Sequence, residues 1–468
     1  MQINKKARKY GIVLLILFAT CSAYCNTYYV ATTGSDSNPG TTIDYPFLTI
    51  PKAVTMVVAG DTIYVRGGTY TYTTTISLSA SGTSGAKYYL FAYNNEKPIL
   101  DFSGMADDDN NRGIILTGSY WYIKGLNIYK AGDNGMIIQG NYNRIELCTF
   151  YENRDSGLQL DNGAAYNDII NCDSYYNLDS TQGNSDGFSP KLTVGTGNYF
   201  YGCRAWQNSD DGYDGYLKST TQYPDDMTTT LENCWAFKSG YLKSGAVATS
   251  GNGNGFKMGG SNLKDFRHNF ILKNCLSFQN KAKGFDQNSN KGSMTLRNCT
   301  AFNNGGNNFY ISLALASGKT CEITNCLYLT GTNSIAGFVV QTTNGWMSGF
   351  TTTSADFTSI DPSAAYGPRN ADGSLPDISF MRLALGSDLI DTGTNVGLPY
   401  NGSAPDIGAF EYLPGDCHSD GQIDLLDLKC VADNWLTSSC GTCNGADFSG
   451  DHTVNFYDFA IMAEYWMQ

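Results

Sequence analysis

Through the middle of the chain the apolar residues fall in short runs closed by Gly or Asn, and no stretch there sustains the 3.6-residue repeat of an amphipathic helix. The runs are periodic. An Asn-Cys pair or a near relative recurs, followed by an aromatic residue and usually Asn: ELCTFYEN at Cys148, NCDSYYN at Cys172, GCRAWQN at Cys203, NCWAFKS at Cys234. The series continues with NCLSFQN at Cys275, NCTAFNN at Cys299 and NCLYL at Cys326. The steps are 24, 31, 31, 41, 24 and 27 residues. The shortest suits one turn of a solenoid, and the longer ones are turns carrying loop insertions. Short β-rich runs at this spacing predict an all-β chain wound as a right-handed parallel β-helix.

Identical residues in a solenoid stack. The Cys column is expected to fill the interior with small apolar thiols, and Asn amides to bond from coil to coil. A metal site made of the cysteines is the weaker reading. Two Cys on neighbouring coils would lie about 4.8 Å apart, so an occasional disulfide is also open. TYYVATTGSDSNPGT, PFLTIPKAV and GDTIYVRGGTY are read as opening strands with one capping helix around Ile50 to Val58. The stretch SDLIDTGTNVGLPYNGSAPDIGAFEY is read as the closing segment, with a boundary near Leu413-Pro414-Gly415. The expected organisation is a leader at 1–25, a β-helix at 26–412 and a small module at 413–468.

The same register places the chemistry. Cys148, Asn153, Gly157 and Leu158 match Cys203, Asn208, Gly212 and Tyr213, and also Cys275, Asn280, Gly284 and Phe285. The Gly-aromatic pair therefore aligns the inserted coils too: Gly187-Phe188, Gly212-Tyr213 and Gly255-Phe256. Asp186 and Asp211 both precede that glycine, while Asp214 and Lys257 both follow the aromatic. With Asp210, four carboxylates and one amine should share a small patch. Gathered Asp oxygens suit calcium. A structural calcium or a solvated acidic turn would account for the carboxylates alone, but not for a lysine in register with them. Beside a divalent cation a lysine loses its preference for the ammonium form and can serve as a base.

The segments SDGFSPK, NSDDGYD and GNGFKMGG resemble the signature segments of polysaccharide lyase family 9, the calcium-dependent pectate lyases and their relatives. The opening strands and the closing PDIGAFEY are similar to that family as well, so the likeness spans most of residues 27–412. It implies Asp186, Asp210, Asp211 and Asp214 as calcium ligands and Lys257 as the base of a β-elimination on a uronic acid polymer. All five are present, although long inserts follow Asp214 and precede Lys257. Lys191, Lys218 and Arg267 are candidates for binding substrate carboxylates, Lys191 foremost. The rival enzyme is a β-helical polygalacturonase-type hydrolase with Asp210 and Asp211 as acid and base. That reading lacks a histidine in a Gly-His-Gly setting, since the three histidines are His268, His418 and His452. A non-enzymatic binding scaffold would keep the ladders without aligning Lys257 on the aspartates.

Charge and chain ends complete the picture. The formal net charge is −13, which argues against nucleic acid as a partner. The first residues carry Lys5, Lys6, Arg8 and Lys9 before an apolar run from Ile12 to Ala19, the pattern of a secretory leader that is too short for a stable membrane span. The expected location is therefore extracellular, with no membrane span. Thr20 before Cys21 and Tyr24 before Cys25 fit a lipoprotein site poorly. In the tail, DCHSDGQIDLLD from Asp416 and DFSGDHTVNFYD from Asp447 each put oxygen-bearing residues at positions 1, 5, 9 and 12 of an EF-hand-like loop that runs into a short apolar helix. This duplicated loop-helix resembles a type I dockerin. The resemblance implies calcium at Asp416, Asp420, Asp424, Asp427, Asp447, Ser449, Asp451, Asn455 and Asp458, and a cohesin-type protein partner. A self-contained calcium-stabilised tail is the alternative. Cys417, Cys430, Cys440 and Cys443 can form one or two disulfides whose pairing is not readable.

Overall fold

The computed structural model describes residues 25–218, 225–440 and 443–466. The predicted leader therefore lies almost wholly outside the described residues. From Thr27 onward the chain winds into coils of three short strands each, and every strand pairs in parallel with its counterpart one coil away. Among the described residues this produces one twelve-stranded and two ten-stranded parallel sheets, a three-sided β-helix. The sheets are numbered here in the order each coil visits them.

The Asn-Cys dipeptide turns out to perform two tasks. Asn171, Asn233, Asn274, Asn298 and Asn325 each sit just before a cysteine with φ between 50 and 55°, at the corner from the first sheet to the second. Asn tolerates this left-handed conformation better than other side chains. The thiols of Cys148, Cys172, Cys203, Cys234, Cys275, Cys299 and Cys326 follow as buried, unpaired fillers. Burial holds Cys172 and Cys203 well above the usual thiol range, so they are neutral apolar groups with no ligand character.

The coil-to-coil amide ladder belongs to the other Asn, five residues after each Cys. Asn153 Nδ2 donates to Asn177 Oδ1 at 2.9 Å, and Asn177 Nδ2 donates to Asn208 Oδ1 at 2.8 Å. Ser239 replaces Asn in the next coil, and the ladder resumes where Asn280 donates to Asn304 at 2.9 Å. A second ladder, unforeseen from sequence, joins Asn143, Asn167 and Asn198 at the corner from the third sheet back to the first. Inside the third sheet Phe188, Tyr213, Phe256, Phe285 and Phe309 stack ring on ring, with centroids 4.8–5.3 Å apart. Register and packing thus reinforce each other at every coil.

At the N-terminal end a helix at Ile50–Val54, capped by Thr49, buries Ile50 and Ala53 over the first coils. The expected closing segment behaves differently from a coil end. After Val340–Thr342 the chain turns back along the outer face of the second sheet. Phe357, Ile378, Phe380, Leu389 and Ile407 cover Trp235, Phe237, Phe278 and Leu327. Arg369 reaches further back, onto Asp173 at 2.7 Å beside Arg204. The physical reason is the run of outward aromatic side chains on the second sheet, an apolar face too large to leave wet. The tail holds its own small core of Ile423, Val431, Ala446, Phe448, Val454 and Met462. It contains helices Leu425–Asp433 and Phe456–Glu464 and the disulfides Cys417–Cys430 and Cys440–Cys443.

Replacing Asn177 by Ala is expected to cost about 2–4 kcal/mol, because buried amides of Asn153 and Asn208 each lose a partner at roughly 1–3 kcal/mol. Chemical denaturation of the variant measures this; a loss below about 0.5 kcal/mol would mean that the ladder does not support the coils.

Candidate active site

The loops entering the third sheet bring Lys191, Asp210, Asp214, Lys218 and Lys257 onto the lining of a cleft of about 730 Å³, with Asp186 and Asp211 fully buried beside them. Phe188 pairs with Tyr213, and Tyr213 with Phe256, so Asp214 lies directly opposite Lys257. One position before the glycine, the stacked residues are Arg112, Asn134, Ser156, Asp186, Asp211, Asn254 and Lys283. Asp186 and Asp211 are thus the centre of a column whose ends carry cations and amides.

Three carboxylates converge: Asp186, Asp211 and Asp214 are buried and offer oxygens that all lie within 4.8 Å of one another. Two ammonium groups flank them. Lys257 Nζ is 3.0 Å from Asp211 Oδ2 and 3.2 Å from Asp214 Oδ1. Lys191 Nζ is 2.7 Å from Asp186 Oδ2 and 3.8 Å from Asp214 Oδ2. Lys191 therefore touches the carboxylates themselves and is nearly enclosed, where a substrate-facing surface lysine was expected. Asp210 is also buried and lines the cleft, but its oxygens do not join the triad; it accepts from the Asn252 backbone N–H in the long inserted loop. Lys218 lines the cleft. Arg267 does not: it pairs with Asp225 at 2.7 Å and lies near Asp226.

The carboxylates are aimed by neighbours that sequence reasoning passed over. Asn254 donates to Asp211 Oδ1 through its backbone N–H at 2.7 Å and through Nδ2 at 2.9 Å. Ser189 and Ser156 hydroxyls donate to Asp186 Oδ2 at 2.9 and 3.2 Å, and the Asp211 N–H donates to Asp186 Oδ1. Register could have found them, because Asn254 and Ser156 occupy the column of Asp186 and Asp211. The same logic reaches Asp155, which matches Asp210 and also lines the cleft with Arg112, Arg154 and Tyr216.

Burial lifts Asp186, Asp210 and Asp211. Burial first, then the charges of Asp211 and Asp186, push Asp210 up to about 9. Burial also raises Asp186, and it carries Asp211 to about 6 despite the pull of Lys257. For Lys257 the order reverses. Burial disfavours its charged form, but Asp211, Asp214, Asp186 and Asp210 outweigh burial and hold the ammonium well above the usual range. Asp211 Oδ2 makes no aligned hydrogen bond, although it is buried and Lys257 stands beside it. Hard oxygens alone, crowded and incompletely satisfied, fit a calcium ion.

The chain matches the family model described as Pel9A-like, right handed beta helix region, over residues 28–324. The chain belongs to this family. Among its relatives, Pectate lyase L of Dickeya dadantii is 37% identical over 85% of this chain and 94% of that protein. The crystal structure of pectate lyase Pel9A superposes with a TM-score of 0.76 at 37% identity, covering 82% of this chain and 96% of that one. A solved rhamnogalacturonan lyase superposes at 0.68 with 30% identity, covering 77% and 97%. The Pel9A-like match takes in every site residue above and stops short of the tail.

In the tail the predicted calcium ligands bind the local backbone. Asp424 and Asp427 form a capping box on one helix, and Asn455 and Asp458 form one on the other. Asp416 accepts from the N–H groups of Asp420 and Gly421, and Asp447 from those of Asp451 and His452. Asp458 accepts from Ser449 N–H. Among the described residues these groups are not drawn together as Asp186, Asp211 and Asp214 are.

Asn254→Ala should weaken calcium binding about 10- to 100-fold, as loss of a partner that orients a ligand does; titration calorimetry with the metal alone reads it, and unchanged affinity would remove Asp211 from the ligand set. Protons compete with the cation for carboxyls raised to about 6 and about 9. Affinity should therefore climb as pH rises through that window, and a flat profile would contradict this electrostatic picture.

Proposed function

We propose that this polysaccharide lyase cleaves pectate by calcium-assisted β-elimination, with Lys257 as the base. The observation that carries the reading is Lys257 standing opposite Asp214 and against Asp211 at the floor of the cleft. Asp186, Asp211 and Asp214, with Asp210 beside them, would hold the ion. Calcium bound there supplies charge neutralisation for the uronate carboxylate as the adjacent carbon becomes electron-rich. Lys257 takes the C5 proton onto Nζ, the C5–H electron pair forms the C4–C5 double bond, and the C4–O bond breaks. The departing oxygen takes its proton from water. Lys257 can do this only while the carboxylates around it are neutralised from another side, since otherwise they keep its proton in place. Lys218, exposed on the cleft, is assigned to a substrate carboxylate, while Lys191 lines the cleft but is held by Asp186. Arg267 is occupied elsewhere.

A second polymer has specific support. The likeness to a rhamnogalacturonan lyase covers nearly all of that enzyme, and the same base and ligands would serve any chain carrying a uronate at the cut. Secretion is supported by the basic-apolar start of the chain and by two disulfides in the tail, which form in oxidising compartments. Among the described residues no helix is long and apolar enough to cross a membrane. The domain division at 413, and a dockerin-like tail that binds calcium and a cohesin-type protein, are part of the same reading. Both rest on the paired loop spacing and the tail's separate core.

Incubation with polygalacturonate and calcium should release products with the mid-ultraviolet absorbance of an unsaturated uronate; new reducing ends without it would mean hydrolysis. Lys257→Ala should lower turnover at least about a thousandfold, within the range general-base loss produces, while calcium binding persists. Chelation should silence the enzyme. The rate should rise toward alkaline pH, where the amine is more readily neutral, and an acid optimum would count against a lysine base.

A further inference from the structure

A second cavity, of about 590 Å³, lies at the corner between the first and second sheets and shares no lining residue with the cleft. Its size is in the range of ligand sites. The floor is aromatic. Tyr64 and Phe91 are register partners on adjacent coils, with ring centroids 6.3 Å apart, and Tyr122 meets Phe91 edge to face at 4.8 Å. All three point outward and stay half-buried, because alternate residues of their strands fill the core.

The far wall is the returning segment, and it is preformed. Arg369 donates to the carbonyls of Cys172, Gly202 and Gly373 as well as to Asp173. Gly373, at φ 90°, lies so close to Leu147 that any Cβ would fall 2.4 Å from its Cδ2. The wall can approach the sheet only with glycine there.

The charge is the reverse of the cleft's. The lining carries Lys97, Lys124, Arg204 and Arg369 against Glu96 and Asp173. Both carboxylates are already taken, Glu96 by Arg66 and Asp173 by the two arginines. Lys124 is held by Glu146 at 2.9 Å, whereas Lys97 is exposed and has no ion-pair partner among the described residues. A cation-rich aromatic cavity in a chain of net charge −13 is not a product of overall composition.

We infer that this cavity is a second carbohydrate-binding site, which takes a short stretch of anionic uronate polymer and tethers the enzyme to its substrate away from the cut. Sugar rings offer C–H faces to Tyr64, Phe91 and Tyr122, and a uronate carboxylate offers charge to Lys97, the lining cation without an ion-pair partner among the described residues. The assignment rests on the uronate substrate proposed above.

The test uses the full chain with Lys257→Ala, so that no substrate is consumed, titrated with oligogalacturonate in the presence of calcium. A second binding event is expected, and adding Lys97→Glu should weaken it about tenfold, the effect of 1.4 kcal/mol, while the first is unchanged. Lys97→Glu alone should keep turnover on short oligomers and lose retention on insoluble pectate. A single binding event, equal weakening by Lys264→Glu at a distant exposed lysine, or equal binding of a neutral glucan would overturn the assignment. Failure of the reaction reading looks different: the wild type would release no unsaturated product, whatever Lys97→Glu does to binding.

Discussion

The β-helix and the site built on it depend on the parallel pairing of each coil with the next. Backbone hydrogen bonds hold neighbouring strands in fixed register, and a slip of one residue would turn the whole side-chain set to the other face. The interior locks that register, since Phe188, Tyr213, Phe256 and Phe285 must stack face to face while Asn153, Asn177 and Asn208 pass amide bonds along the axis. Because the lock is repeated in every coil, a side chain placed beside it inherits a precise position. Asp214 and Lys257 come from segments 43 residues apart, yet they face each other as directly as any ladder pair.

The scaffold also tolerates what the chemistry needs. Burying Asp186, Asp211 and Asp214 together is costly, and the site offsets that cost with two lysines and a set of donors from Asn254, Ser156 and Ser189. These donors are themselves column members, so the orienting groups arrive by the same register as the ligands. The inserts that lengthen particular coils leave the pairing undisturbed and contribute only at the rim, as Asn252 does beneath Asp210.

Much of this was legible from residue spacing. A constant offset from Cys to Asn to Gly identified the coils, and the Gly-aromatic pair carried the alignment across inserts, so Asp186, Asp211, Asp214 and Lys257 could be grouped without coordinates. Lys191 was read correctly as near the site but not as part of the ion cluster. A side chain of four methylenes can reach either inward to Asp186 or outward to solvent, and spacing does not distinguish them. Arg267 lies one loop from the site in sequence, but Asp225 competes for it at 2.7 Å. The return of residues 344–412 along the second sheet has no periodic signal, because its contacts are made one by one with aromatic side chains from many coils.

The amino-acid sequence by itself determined the solenoid, its register and the convergence of acids with one lysine, because these follow from local spacing repeated at a fixed period. Tertiary structure alone decided which charges are buried, how the ammonium groups share the carboxylates, and where the returning segment closes a second, cation-rich cavity. Those outcomes depend on competition between distant groups for the same partner and on the exclusion of water, and neither is written in the spacing of residues along one strand.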